Sequence, residues 1–347
     1  MNILLAVLVF SLLVVTHELG HFLLAKKNGV GVPEFCIGFG PKLLCFEKGG
    51  TEYSLRLIPF GGACIMEGED EDSDAENSFP KKSPWARLSI LAAGPFFNFL
   101  TAYILAVVVI GTVGIDKPYL SAVPEGMPAE EAGLLEGDLI TRMNGKTIKS
   151  YRDVSLFFMN YDGKDEITVG YERDGKAGET VFRPAYDEER NTYYMGVSVY
   201  TYRRPVDHVL EALGLGFHEV KYWMEYTWAS LGMLFTGRVP VTELSGPVGI
   251  VSVVNDVVEE SKTDGAFYVF INLANISLLL SVNLGVMNLL PFPALDGGRI
   301  LFILFELIRG KPVPSEKEGI VHMVGMVLLM LLMTFVFYND IVRLIGR

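Results

Sequence analysis

The sequence is poor in charge, in basic residues and in cysteine. Only 20% of its 347 residues are charged, against about 25% in an average soluble domain. Acidic residues outnumber basic ones by 41 to 29, and this balance argues against a nucleic-acid partner, which needs a basic face. Three scattered cysteines are too few for a disulfide scaffold and too far apart for a C-x-x-C zinc knuckle.

Apolar residues are concentrated in long runs rather than spread along the chain. Four runs, at about 2–25, 88–113, 266–290 and 320–338, approach or exceed the roughly 20 residues that a helix needs to cross a bilayer. The first run has no basic leading region and no A-x-A cleavage site, so we expect a retained helix rather than a signal peptide. We therefore predict a polytopic α-helical membrane protein with about four transmembrane helices.

Lysine and arginine residues near the ends of these runs predict the orientation. They cluster at 26–27, 81–87 and 299–317, so the positive-inside rule places the loops 26–87 and 291–319 in the cytoplasm. The region 114–265 and both termini then lie outside. Two arginines near the C-terminus weakly oppose this orientation.

Glycine-separated segments fill the region between the first two runs. Residues 33–37, 42–46 and 52–58 predict short strands, which form either a re-entrant β structure shielded by the helices or a small sheet on the membrane face. The sequence does not decide between the two. Residues 67–76 carry seven acids and no base, a pattern typical of a solvated loop.

The long stretch between the second and third runs predicts a soluble module followed by a helix. Residues 115–200 have ordinary composition with strand-like runs and turns. Residues 209–235 carry apolar side chains at helical spacing, which predicts an amphipathic helix either on the outer membrane surface or packed against the module. The predicted organisation is a membrane core at 1–113, a soluble domain at 114–205, a helix and connector at 206–265 and a second membrane core at 266–347.

The first apolar run contains an H-E-x-x-H motif, His17-Glu18-Leu19-Gly20-His21. On a helix the two histidines share one face, so both imidazoles can reach one zinc ion, with Glu18 beside the attacking water. Ionisable residues inside a membrane helix are costly and usually functional, which makes a purely structural polar cluster the weaker interpretation. We predict a zinc site inside the membrane, toward the cytoplasmic side.

A catalytic zinc needs a third protein ligand, and Asp296 is the best candidate. It follows an apolar run that two prolines interrupt, on the same predicted side of the membrane as the two motif histidines. His322 is a weaker rival, whereas His208 and His218 are predicted on the opposite side. A glutamate on a later helix, as in another class of membrane zinc enzyme, is the remaining alternative.

Four motifs together resemble the site-2 protease family: HELGH in the first run, GFGP at 38–41, AAGPFFNF at 92–99 and NLLPFPALDGG at 288–298. The resemblance spans the whole chain and implies a zinc-dependent intramembrane endopeptidase. It implies that His17, His21 and Asp296 bind Zn²⁺, that Glu18 is the general base and that Asn288 contacts the substrate backbone.

The soluble insert, with PAEEAGLLEGDLI at 128–140, resembles the single PDZ domain of the shorter bacterial regulator-of-sigma-E proteases. The segment 30–62 corresponds to the membrane-associated β region of that family. The resemblance implies single-pass membrane protein substrates, such as pre-cleaved anti-sigma factors or signal-peptide remnants, and a PDZ groove open to peptide termini. It implies a location in the bacterial cytoplasmic (inner) membrane, with the PDZ domain on the extracytoplasmic side. The rival interpretation is a non-enzymatic membrane PDZ scaffold.

Overall fold

The computed structural model describes residues 2–69, 73–188, 192–199 and 203–345. Its helices are α1 (Asn2–Lys27), α2 (Pro84–Val113), α3 (Pro128–Glu131), α4 (Tyr151–Met159), α5 (Val209–Phe235), α6 (Pro247–Lys262), α7 (Ala266–Leu289), α8 (Asp296–Arg309) and α9 (Ser315–Ile345). Its strands are β1 (Glu34–Lys48), β2 (Thr51–Ile65), β3 (Ile115–Asp116), β4 (Leu120–Ala122), β5 (Leu139–Met143), β6 (Lys146–Thr147), β7 (Ile167–Arg173), β8 (Lys176–Phe182), β9 (Ala185–Asp187), β10 (Thr192–Tyr194), β11 (Ser198–Val199) and β12 (Arg203–Arg204). The chain divides into two compact units, Met1–Ala106 with Leu234–Arg347, and Val107–Met233.

Four helices of the described chain are long and apolar enough to cross a membrane. They are Ile3–Lys27, Pro84–Val113, Ala266–Leu289 and Glu316–Ile345, which confirms the four predicted apolar helices. The second begins at Pro84, earlier than the apolar run itself, because proline is well suited to the first turn of a helix. The structure adds α6 and α8, which the sequence analysis did not predict as helices.

The region between α1 and α2 is one bent β hairpin, so the prediction of separate short strands was wrong. β1 and β2 pair antiparallel around a turn at Gly49-Gly50, and the register doubles back: Phe35 pairs with both Tyr53 and Cys64. Glycines with positive φ, such as Gly38 at +87°, allow the bends that keep each strand continuous. The predicted segments are therefore parts of two long strands.

The two ends of this hairpin have different surroundings. At its base, Phe35 and Cys64 are buried in a core that α1, α2 and α8 also supply, with members such as Ala25, Ile90 and Ile303. Its distal part exposes large apolar side chains, among them Phe39, Leu43, Leu44, Phe46, Leu57 and Ile58. The base therefore fixes the hairpin against the helices, while the distal part offers an apolar surface.

The second unit contains a small α+β module around its own core. A four-stranded antiparallel sheet has the order β6-β5-β7-β8, and Asn144-Gly145 and Asp174-Gly175 form its tight turns with positive φ at all four residues. The core includes Leu120, Leu134, Ile140, Ile167 and Val169, all at most 1% exposed. The buried Asp138 carboxylate accepts hydrogen bonds at 2.7 Å from the Arg173 guanidinium, which fixes the turn before β5.

Helix α5 has the predicted bounds, and it packs against α4 of the module. Nε2 of His218 lies 3.0 Å from the Asp153 carboxylate, and Arg152 forms an ion pair with the buried Glu219. The predicted apolar stripe is exposed at Val209, Phe217 and Phe235, with Phe217 69% exposed, whereas its member Val220 is buried. Packing against the module is therefore confirmed, and contact of the apolar stripe with a membrane surface stays a prediction.

Candidate metal centre and active site

The two histidines of the H-E-x-x-H motif are buried on one face of α1. Their Nε2 atoms are 3.2 Å apart. The other ring nitrogens are held by α2: Nδ1–H of His21 donates to the Ile90 carbonyl oxygen at 2.9 Å, and the Asn98 side-chain amide lies 3.0 Å from Nδ1 of His17. Hydrogen bonds at Nδ1 are what orient metal-binding histidines, because they fix the ring and leave Nε2 for the ion.

Asp296 joins the two histidines from a distant part of the chain. Its Oδ2 lies 3.1 Å from Nε2 of His17 and 3.4 Å from Nε2 of His21. Asp296 is the first residue of α8, where the unpaired N–H groups and the helix dipole favour a carboxylate. Within the described residues, these three side chains form the one group of three or more His, Cys, Asp or Glu that could hold a metal ion.

The donor set fits zinc. Two imidazole nitrogens and one carboxylate oxygen are typical of a catalytic zinc site with an open fourth position. Tetrahedral zinc bonds of about 2.0–2.1 Å keep ligand atoms roughly 3.3–3.4 Å apart, close to the three separations of 3.1, 3.2 and 3.4 Å. Within the described chain, the buried Oδ2 of Asp296 has no hydrogen-bond partner, and a cation would satisfy it.

Two glycines allow α1 and α2 to approach closely at this centre. A Cβ atom on Gly20 would lie 2.4 Å from the Ala93 carbonyl oxygen, and one on Gly94 would lie 2.3 Å from Nε2 of His21. Both distances are far below van der Waals contact, so neither position tolerates a side chain. The glycines of HELGH and of AAGPFFNF are therefore required by the close approach of the two helices.

A tight loop carries the chain from α7 to Asp296. Helix α7 ends before Pro291, because proline cannot supply the next backbone hydrogen bond. Ala294 has φ +77°, a left-handed conformation that costs a non-glycine residue about 1–2 kcal/mol. Gly297 and Gly298 lie under the loop, and a Cβ on Gly297 would be 2.1 Å from a loop carbonyl oxygen. The Asp-Gly-Gly sequence thus provides the candidate ligand and, at its two glycines, a helix surface without side chains beneath the loop.

The motif glutamate is held by the hairpin. Oε2 of Glu18 accepts a hydrogen bond from the Cys64 backbone N–H at 3.0 Å. Glu18, the side chains of His17, His21 and Asp296, and Asn288 line one cavity of about 320 Å³. The structure therefore brings every residue that the sequence analysis selected into one site.

An ion pair forms another part of the cavity wall. Arg299 donates to Oε1 of Glu69 at 2.7 Å, and both side chains line the cavity. The prediction that the acidic segment is solvated is therefore wrong for Glu69, whose side chain is only 16% exposed. Residues 70–72 of that segment lie outside the described residues.

The other histidines do not join the centre. His218 pairs with Asp153 in the second unit, and Nδ1 of His322 accepts a hydrogen bond from the Ala294 N–H at 3.1 Å. Sequence reasoning gave no role to Asn98. The signal was available, because a buried amide within an apolar helix needs a hydrogen-bonding partner.

Comparisons with known proteins agree with this chemistry. The model of "Peptidase family M50" matches residues 5–332. The chain is 32% identical to "Regulator of sigma-W protease RasP" of Bacillus subtilis, with 97% of each chain covered. It is 33% identical to "Zinc metalloprotease RasP" of Bacillus licheniformis, with 97% of this chain and 98% of the relative covered.

Among solved structures, the PDZ domain of the SdrC-like protein of Listeria monocytogenes matches 24% of this chain and 87% of its own length. The sequence identity is 23% and the TM-score 0.23. That similarity carries no argument about function. The family match and the full-length relatives, together with the His-His-Asp group, exclude the scaffold interpretation. The chain belongs to peptidase family M50, the site-2 protease family, and is a zinc metalloprotease.

Proposed function

We propose that this protein is an intramembrane endopeptidase that cleaves transmembrane segments of single-pass membrane proteins. The observation that carries the proposal is the position of the catalytic group. His17, Glu18 and His21 lie on a helix apolar enough to span a membrane, and Asp296 meets them from the start of α8, shortly after a second such helix ends at Leu289. A protease centre at that depth suits a substrate that also lies in the bilayer.

The roles of the site residues follow from their chemistry. His17, His21 and Asp296 hold the zinc ion, which when bound polarises the scissile carbonyl and activates the attacking water. Glu18 accepts a proton from that water and returns it to the leaving amine. The Cys64 N–H holds one carboxylate oxygen of Glu18 and leaves the other for the proton transfer.

The substrate helix must unwind locally, because its own hydrogen bonds shield each peptide bond. The end of β2 is suitably placed to bind the unwound segment, since Cys64 lies beside Glu18 and pairs with β1 on its other side. An extended peptide added to such an edge gains main-chain hydrogen bonds. Asn288, in the same cavity, supplies an amide for the substrate backbone.

The location and the soluble module complete the proposal. We place the protein in the bacterial cytoplasmic membrane, with loops 26–87 and 291–319 in the cytoplasm and the region 114–205 outside, as a PDZ domain able to bind peptide termini. A relative bears the name of a sigma-W regulator protease. Pre-cleaved anti-sigma factors and signal-peptide remnants are therefore the substrate classes that we propose.

The test is to map where the enzyme cuts. A single-pass model substrate and purified full-length enzyme are reconstituted together in liposomes, and the products are identified by mass spectrometry. We expect cleavage inside the apolar segment by wild type, and none by Glu18→Gln. Cleavage confined to the polar flanks of the substrate would contradict intramembrane proteolysis.

The orientation has a separate test. Protease added to the outside of spheroplasts should reach the region 114–205 and leave a tag in the loop 291–319 intact. The reverse pattern would overturn the proposed orientation.

A further inference from the structure

We propose that His322 on α9 is a positioning residue for Asp296, acting through the backbone of Ala294. The inference rests on the proposed role of Asp296 as a zinc ligand. It assigns a purpose to a half-buried histidine that does not reach the metal centre.

The backbone hydrogen bonds of the loop between α7 and α8 lead to this histidine. Two of the residues between α7 and Asp296, Pro291 and Pro293, have no N–H. The N–H groups of Phe292 and Leu295 bond within the loop, to carbonyl oxygens at 2.7 and 3.2 Å. The Ala294 N–H instead points out of the loop and donates to Nδ1 of His322 at 3.1 Å.

Among the residues of this loop, Ala294 most needs a stabilising contact from outside the loop. Its φ of +77° is unfavourable for an alanine, and such a conformation persists only where its surroundings enforce it. Asp296 follows only two residues later, so a change at Ala294 moves the carboxylate relative to the two histidines of α1. Metal sites tolerate ligand displacements of only about 0.2 Å.

Helix α9 is shaped to receive the loop at a second point. Gly325 lies one turn after His322, and a Cβ there would be 2.3 Å from Cβ of Pro293. A side chain at 325 would therefore push the loop away, whereas glycine lets Pro293 rest on the helix. The two contacts are on the same face of α9, as expected for residues three apart.

The surroundings of His322 hold its ring in place. The side chain is 14% exposed, its ring centroid lies 5.7 Å from that of Phe302 on α8, and Oε1 of Glu318 lies 3.7 Å from Nε2. Because Nδ1 accepts a hydrogen bond, it carries no proton, and the neutral ring has its proton on Nε2. Within the described residues, Nε2 of His322 has no hydrogen-bond partner. Nδ1 is therefore the ring nitrogen through which His322 forms its hydrogen bond, to the Ala294 N–H.

The experiment measures zinc affinity of the full-length protein in detergent by competition with a chromophoric chelator. His322→Asn keeps an acceptor at the position of Nδ1, His322→Gln moves the amide to the position of Nε2, and His322→Leu removes it. Loss of such an outer hydrogen bond weakens metal binding by about 10–100-fold. We expect that loss for His322→Leu and His322→Gln, and an affinity within about threefold of wild type for His322→Asn.

Two further variants make the outcome decisive. Ala294→Gly relieves the unfavourable φ, so it should restore part of the affinity that His322→Leu loses. Met323→Ala, at an exposed neighbour on α9, should leave the affinity unchanged. Wild-type affinity in His322→Leu, or equal losses in His322→Asn and His322→Leu, would overturn the inference. If His322→Leu does not fold, the comparison of His322→Asn with His322→Gln decides.

Asp296→Ala separates this inference from the proposed function. If Asp296→Ala keeps its zinc, the proposed ligand set is wrong. If Asp296→Ala loses zinc while His322→Leu binds it normally, the ligand set stands and only the role of His322 is wrong.

Discussion

Adding one methyl group at Gly94 should prevent zinc from binding at the metal centre, while α2, the helix that contains Gly94, stays intact. The new Cβ would lie 2.3 Å from Nε2 of His21 and 2.7 Å from Cε1 of His17. Ordinary contacts of a Cβ begin at about 3.4 Å, so the imidazole of His21 must move by about 1 Å. That displacement is several times the tolerance of about 0.2 Å for metal ligands.

The expected effect of Gly94→Ala is a loss of zinc affinity of about 100-fold or more. Loss of a hydrogen bond to a metal-binding side chain already lowers metal affinity by about 10–100-fold. Gly94→Ala displaces the proposed ligands themselves. Alanine is a better helix former than glycine by about 1 kcal/mol, so α2 should remain intact. Zinc per chain is measured by elemental analysis after dialysis, and the fold is monitored by circular dichroism.

Gly111→Ala is the matched control. It makes the same substitution in the same helix, at a position where nothing lies within 4 Å of the added Cβ. We expect one zinc per chain in Gly111→Ala and none in Gly94→Ala, with similar helix content. Full zinc occupancy in Gly94→Ala would refute the account of how α1 and α2 form the site.

Three further predictions concern other parts of the structure. Asn98→Leu should weaken zinc binding by about 10–100-fold because it removes the amide that holds the His17 ring. Asn98→Asp places a carboxylate oxygen there, which can accept from an Nδ1–H of His17, and should keep most of the affinity; equal chelator titrations for Asn98→Leu and wild type would contradict this. Gly297→Ala puts a Cβ 2.1 Å from a loop carbonyl oxygen and should lower the zinc content below one per chain. Full zinc occupancy by elemental analysis would contradict this prediction. Burial raises the pKa of Asp153, but the hydrogen bond and charge of His218 outweigh it and hold that pKa below its usual value. Asp153 therefore stabilises the module above its ordinary pKa, and this contribution is lost as the pH falls through the lowered pKa. Asp153→Asn should destabilise the module by about 1.5–3 kcal/mol at pH 7 and have little effect in strong acid; hydrogen exchange of α4 that shows the same difference at both pH values would refute the pairing.

Local patterns in the sequence were sufficient for the features that depend on a few neighbouring residues. The motif histidines share a face because they are four residues apart on a helix. Helix α5 follows the apolar spacing from Val209 to Phe235, and the Asn144-Gly145 turn follows from residues that accept positive φ. Asp296 was predicted as the third zinc ligand because it follows an apolar run that prolines interrupt, and the structure places its carboxylate beside the two histidines.

Features set by contacts between distant segments could not be predicted in this way. Phe35 pairs with both Tyr53 and Cys64 because the strands bend at glycines. The local sequence around those glycines predicts only a turn. The contact of Asn98 with His17 and the ion pair between Glu69 and Arg299 join segments 81 and 230 residues apart. Their partners are set by the packing of α1, α2 and α8, which no local pattern records.

Zinc-dependent cleavage of membrane helices is best tested by measuring zinc content and substrate cleavage together, for wild type and Glu18→Gln. Glu18 does not bind the metal in this account, so both proteins should contain one zinc per chain, and only wild type should cleave a model membrane-helix substrate. Cleavage by a zinc-loaded Glu18→Gln variant would contradict the role of Glu18 as the general base. Folded wild type that neither binds zinc nor cleaves the substrate would contradict the account as a whole.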